Sequence, residues 1–330
     1  MKKTLLSLAA LLSLSLALTS CGGGATNPNP DPVVDTTAPS VVSVTPSSGA
    51  TGVSKDANVV ITFSEPMDQA SAQAAFQSAD LGTFTFSWNV EGTTMTVNPN
   101  VDLTYNSSGK SYGFKVTTTA KDKANNALPS ETSSSFKTFK QLSSTIISTA
   151  ALDGNMSSGN GGSTSGDTAV TGDGMSNLAY RAFFSFDISS LPAGVQPGNV
   201  FSATLKVYQS KVQGTPYTSL KTGVCPLNCE AALLDHVNYG SSLTGEDFET
   251  PVLHDLGNLS TSSSLETKTA NVLVAVRDDL DKRDTRGNRS QYRVRFPLGT
   301  NADDKFDWAE FNTAEAASNK PTLEISYLIP

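Results

Sequence analysis

Short stretches in which apolar and polar residues alternate recur through most of the chain. Val59, Ile61 and Phe63 share one phase, Phe84, Phe86, Trp88 and Val90 another, Met95 and Val97 follow across a Glu91-Gly92 turn, and Phe114 and Val116 come later. A period of two, with Gly, Asn and Pro between stretches, predicts antiparallel strands that bury one face. The second half repeats the theme. Tyr180, Ala182, Phe184, Phe186 and Ile188 alternate with Arg181, Phe183, Ser185 and Asp187. Ala203, Leu205 and Val207, then Tyr292, Val294 and Phe296, then Leu323, Ile325 and Tyr327 follow the same rule, with Arg293 and Arg295 facing away from the core. The fold class read from this is all-β, two sandwiches in series. Helix is expected in two places only. One is Asp68 to Ser78, capped by Asp68 or Ser71; the other is a turn or two around Val272 to Leu280, where Val272 and Val276 lie four apart. The Gly- and Ser-rich segment from Asp153 to Gly174 reads as a long surface loop.

The first residues have a different logic. Lys2 and Lys3 precede an apolar run from Leu5 to Leu18, which ends at Leu18-Thr19-Ser20-Cys21. A charged start, an apolar stretch too short to span ~30 Å of hydrocarbon and small residues before a cysteine form an export signal. The last four residues resemble the lipobox of bacterial lipoproteins, which implies lipidation of Cys21 and removal of residues 1–20. The other reading is an ordinary signal peptide in which Cys21 has no special part. Two or three acyl chains would anchor the chain stably where one would not. Residues 21–38 carry Pro28, Pro30 and Pro32 without apolar periodicity, an extended tether of roughly 50 Å at ~3.1 Å per residue. Gly22 lacks the Asp that retains some lipoproteins on an inner membrane, so the expected location is the envelope, lipid-anchored and facing the exported side, at an outer membrane or cell surface.

Charge narrows the partners. Apart from Lys2 and Lys3, 21 basic residues stand against 31 acidic ones, so nucleic acid is not an expected partner. The membrane, reached through the lipid, is. With about 310 residues left after export, two domains can each bury a core.

Residues 39–140 resemble the bacterial Ig-like domain of the SbsA S-layer type. The resemblance is carried by Thr45-Pro46, Gly49-Ala50-Thr51-Gly52-Val53, the run from Ile61 to Asp68, Tyr112-Gly113-Phe114-Lys115-Val116 and Asp122 to Leu128. It implies a spacer or display module without catalytic residues. Glu65 and Asp68 look like a carboxylate pair, but Pro66 and their position at a strand-to-helix corner suggest turn and capping roles. Residues 141–330 resemble the domain family named for its DNRLRE motif, a jelly-roll-type sandwich related to carbohydrate-binding modules. Here the carriers are Arg181 to Pro192, Ala203 to Tyr208 and Pro321 to Tyr327. The stretch from Tyr217 to Arg289 matches less well.

Candidate chemistry is sparse. His236 follows Asp235 and His254 precedes Asp255, a weak metal or acid-base signal without a patterned third ligand. Cys225 and Cys229 frame a five-residue ring that a disulfide would close in an oxidising compartment; free thiols, or metal ligation with His236, are the other readings. Asn301, Asp303 and Asp307 offer oxygens at spaced positions, with Asp167 and Asp173 near the Gly-rich segment, and make a structural calcium ion the one candidate cofactor. Glycan recognition would need exposed aromatic faces, for which Tyr208, Tyr217, Tyr239, Trp308 and Phe183 are candidates; packing of Trp308 and Phe183 beneath loops is the other, slightly favoured reading. The expected function is non-catalytic display or adhesion at the cell surface. Polysaccharide binding is the alternative, and glycan hydrolysis is less favoured.

Overall fold

The computed structural model describes residues 34–221 and 230–330. Cys21, the export signal, Cys225 and Cys229 lie outside these residues. The chain divides into a short unit up to Thr37 and a compact unit from Ala38 to Pro330. No helix among the described residues is long and apolar enough to cross a membrane.

Seven strands make the first sandwich: β1 (Val41–Thr45), β2 (Val59–Phe63), β3 (Phe76–Gln77), β4 (Phe84–Trp88), β5 (Thr94–Pro99), β6 (Ser111–Val116) and β7 (Thr132–Lys137). They form sheets in the orders β1-β2-β5-β4 and β3-β6-β7. Val59, Ile61, Met95 and Val97 from one sheet meet Phe76, Tyr112, Phe114 and Phe136 from the other in one core. The alternating positions therefore do what their period requires. The helix α1 (Gln69–Ala75) is capped by Asp68, whose carboxylate accepts from the Ser71 amide. Val90 departs from the expected face. The Asn89 side chain accepts from the Thr93 and Thr94 amides and turns the chain there, which leaves Val90 fully exposed.

The second sandwich holds β8 (Lys140–Ile147), β9 (Gly154–Ser157), β10 (Gly162–Ser163), β11 (Thr168–Asp173), β12 (Ala179–Asp187), β13 (Val200–Gln213), β14 (Ala232–Val237), β15 (His254–Ser260), β16 (Thr267–Asn271), β17 (Arg289–Arg295), β18 (Asp307–Asn312) and β19 (Thr322–Ile329). One hydrogen-bonded path runs β15-β14-β17-β12-β11-β18-β13-β19-β8. The long strand β13 serves both layers. Its first half pairs with β16 and β19, its register shifts between Gln209 and Lys211, and its last residues pair with β18. Between the layers lie Phe184, Phe186, Leu205, Val207, Tyr292, Phe311, Leu323 and Ile325. Each such side chain contributes about 1.5–3 kcal/mol of burial. A helix, α2 (Pro216–Ser219), is short; α3 (Leu273–Asp281) buries Ala275, Val276, Asp279 and Leu280, in line with the four-residue spacing of Val272 and Val276.

Three expectations fail, for one reason. Residues 153–174 are not a surface loop: they supply β9, β10 and β11, and residues 152–157 are buried. Glycine is required there by close approach. A Cβ on Gly154 would lie 2.1 Å from the Ser163 carbonyl oxygen, and one on Gly172 would lie 2.3 Å from that of Asp307. This covering layer adds a second small core of Leu152, Met156, Ala179, Phe183, Val237, Tyr239, Leu243 and Phe248. The strand β12 is thus buried on both faces, so Phe183 and Tyr239 are internal, as is Tyr217 in the main core. Arg293, expected to face solvent, is buried beneath the same layer, and Arg295 is half-buried.

Candidate functional site

Buried charges of the second sandwich are arranged in two groups on opposite faces of β14, Asp235 on the covered face and His236 toward the main core. The first centres on Asp235 of β14, which is fully buried. Its Oδ2 accepts from Nε (3.0 Å) and Nη2 (2.7 Å) of Arg293, and Nε of Arg295 reaches the same oxygen at 2.8 Å. Arg293 also donates to the carbonyls of Phe248 and Thr250. Arg181 lies over the Phe248 ring, 3.9 Å from its centroid, and pairs with Glu249. Burial, with the charge of Arg293 beside it, lowers the affinity of Arg181 for its proton. The group ties three strands to the covering loop.

The second group is built from both histidines. Strands β14 and β15 pair so that His236 and His254 are directly opposite. Their Nδ1 atoms are 2.9 Å apart and their rings stack with 18° between planes. On its other side, His236 Nε2 lies 2.9 and 3.0 Å from the two carboxylate oxygens of Asp279, at the end of α3. An ionised Asp279 only accepts, so Nε2 carries the proton, and the bare Nδ1 then accepts from His254. The neighbouring Asp278 places Oδ2 3.9 Å from His254 Nδ1. Arg286 bridges the two aspartates, and Lys282 holds Asp278 from outside. Burial works to raise the Asp278 carboxyl, but the hydrogen bonds and charges of Lys282 and Arg286 leave it below its ordinary value. Burial, and then the charge of Asp279, push the Tyr292 hydroxyl beside His236 well above the usual tyrosine value.

The sequence points to the right histidines and the wrong aspartates. Asp235 turns to the arginines, and Asp255 accepts from the Gly257 amide two residues on. The partners come instead from α3. A legible signal was Asp279 itself, a carboxylate on the same stripe as Ala275, Val276 and Leu280.

The other predicted positions lie elsewhere. Asn301, Asp303 and Asp307 share the loop that enters β18, and each already accepts or makes a hydrogen bond within it or to its surroundings. Asn301 accepts from the Asp303 amide, Asp303 from the Lys305 amide, and Asp307 from the Thr215 amide and the Asn301 side chain. Asp173 stands directly opposite Asp307 and accepts from Thr300 and Asn301 on Oδ2. Its Oδ1 is buried with no hydrogen-bond partner among the described residues. Trp308 is half-buried, 4.5 Å from the Phe306 ring centroid and edge-on to Tyr180, while Tyr208 lies half-buried on β13 opposite Thr267.

Residues 35–138 match the bacterial Ig-like domain. No curated protein matches the chain. Among solved structures it is similar to an L,D-transpeptidase from Mycobacterium smegmatis at 16% identity and TM-score 0.24, covering 54% of this chain and 63% of that one. It is similar to surface layer protein SbsC, domains 1-6, at 15% identity and TM-score 0.24, covering 54% of this chain and 29% of that one. It is similar to SGBP-B from a complex xyloglucan utilization locus in Bacteroides uniformis at 9% identity and TM-score 0.25, covering 88% and 73%. The chain thus spans less than two thirds of the first two. After the Ig-like domain, the second sandwich follows with only Thr138 and Phe139 between β7 and β8.

Proposed function

We propose that the chain is a non-catalytic envelope protein, held to a membrane by lipid on Cys21, whose Ig-like domain carries the second sandwich outward in a structural or adhesive role. The observation that carries this reading is the junction between the sandwiches. Thr138 and Phe139 are strapped to the Ig-like domain through the Thr138 amide to Lys110 and the Phe139 amide to Val53. The Gln141 amide, already in β8, donates to Asn106, and the Phe139 ring packs edge-on to Tyr105. At Gly52 a Cβ would stand 3.0 Å from the Pro330 side chain, so the two bodies touch without a flexible linker. A two-residue, hydrogen-bonded connection suits a spacer that fixes orientation. Asp235 is engaged with arginines, and Asp153 with Ser148 and two amides, which supports a structural role for these two buried acids over a hydrolytic one.

Polysaccharide recognition is the second reading, favoured by the half-buried Trp308 beside Phe306 and Tyr180 at the loop entering β18. Labelling cells with a radioactive fatty acid tests the first: label on the wild type and none on Cys21→Ser, with the variant released from membranes, is expected. Label on neither would overturn the anchor. Glycan-array binding lost on Trp308→Ala would move the assignment to recognition.

A further inference from the structure

We infer that His236, His254 and Asp278 form a site for a borderline divalent transition-metal ion such as zinc. One candidate ligand atom from each of His236, His254 and Asp278 lies within 4.8 Å of the other two, and the two Nδ1 atoms face each other at 2.9 Å. Two imidazoles and one carboxylate suit zinc and its neighbours, and suit calcium or magnesium poorly. Bonds of about 2.0–2.1 Å at tetrahedral angles separate ligand atoms by roughly 3.3 Å. The pair at 2.9 Å must open a little and His254 must close on Asp278 from 3.9 Å. His254 can make both moves, because its side chain is one-third exposed at the start of β15 whereas His236 is fixed. As the ion binds, the proton that His254 Nδ1 donates to His236 moves to the other ring nitrogen of His254 or leaves to water.

His236 is held in place from behind. Asp279 accepts from the Nε2–H of His236 with both carboxylate oxygens, which leaves the Nδ1 lone pair aimed at His254. A carboxylate behind a ligating imidazole sets its tautomer, orients its ring and raises its basicity. Arg286 in turn fixes Asp279. Asp278 keeps lone pairs beyond those that Arg286 and Lys282 use. Opposing the ion is local charge: Arg286 and Lys282 already balance the two aspartates. Arg286 holds Oδ2 of Asp278, the oxygen nearer His254, and Lys282 holds Oδ1; half exposed, Lys282 is the positive charge that can swing into water as the cation enters. The bound ion would clamp α3 to β14 and β15.

The test is calorimetric titration of the purified full chain with zinc, with a Cys225→Ser/Cys229→Ser version run in parallel so that thiols are not the ligands. One ion per chain is expected in both. His254→Gln and Asp278→Asn should each lose it while retaining the wild-type circular dichroism spectrum, since both side chains are partly exposed. Asp279→Asn should bind about 10- to 100-fold more weakly, the usual effect of removing a carboxylate behind a ligating imidazole. Lys282→Ala should bind more tightly, a result that a purely structural ion pair would not give. No stoichiometric zinc, or undiminished zinc in both His254→Gln and Asp278→Asn, would overturn the site and leave a hydrogen-bonded histidine pair. None of these outcomes bears on lipidation of Cys21, so the anchor stands or falls separately.

Discussion

Asp235 and Arg293 stand directly opposite each other on β14 and β17, both inside the protein, joined by two hydrogen bonds of 3.0 and 2.7 Å to one carboxylate oxygen. Arg295 completes the set from the partly exposed side. Removing one partner of a buried ion pair strands the other's charge and costs about 3–5 kcal/mol. Asp235→Ala is expected in that range by urea denaturation. Arg295→Ala should cost under half as much, because Arg293 still neutralises Asp235.

The Asp153 carboxyl predicts a pH dependence. It is buried, and burial pushes it up to about 7 from 3.8, against hydrogen bonds from Ser148 and the amides of Ser185 and Ala314. A folded value above the unfolded one means the native state holds the proton longer. The stabilisation is then full below about pH 4 and is lost as pH rises toward 7. The shift corresponds to at most about 4 kcal/mol. Asp153→Asn cannot ionise, so its denaturation midpoint should be flatter than the wild type's from pH 4 to pH 7. An unchanged slope would assign the proton elsewhere.

Asp173 and Asp307 are like charges opposed across β11 and β18, and Asp173 Oδ1 has no hydrogen-bond partner among the described residues. Cross-strand repulsion of this kind costs up to about 1 kcal/mol. In chelator, Asp173→Asn is expected to be more stable than the wild type by that amount. A calcium-dependent rise of Tm in the wild type that the variant lacks would instead assign Oδ1 to a bound cation.

Covering of the second sandwich decides what was legible in the sequence. Alternation located Val59-Ile61-Phe63 and Phe184-Phe186 because a single buried face imposes a period of two. It could not decide Phe183, because β12 has a core on each side and a strand buried on both faces has no outward phase. The covering layer itself is low in large apolar residues and rich in glycine. Close backbone approach at Gly154 and Gly172 and a flexible loop leave the same compositional trace. The histidine cluster was half visible. Opposition of His236 and His254 depends on strand register, and Asp279 reaches His236 across 43 residues of chain, which spacing alone does not encode.

The pairing of β8 with β19 also sets an order of events during synthesis. The Ig-like domain has its last strand by Lys137, so it can complete its core while the rest of the chain is still being made. The second sandwich cannot. Its first strand waits for Thr322–Ile329, and Ser143 meets Ser326 across 183 residues. Until then β8 presents an unpaired edge, a template for wrong partners, beside a finished neighbour. Loop closure over that distance makes the second sandwich the slow step, and the Ig-like domain, folded first, holds the waiting strand at its root through the Gln141 amide and the Asn106 carbonyl.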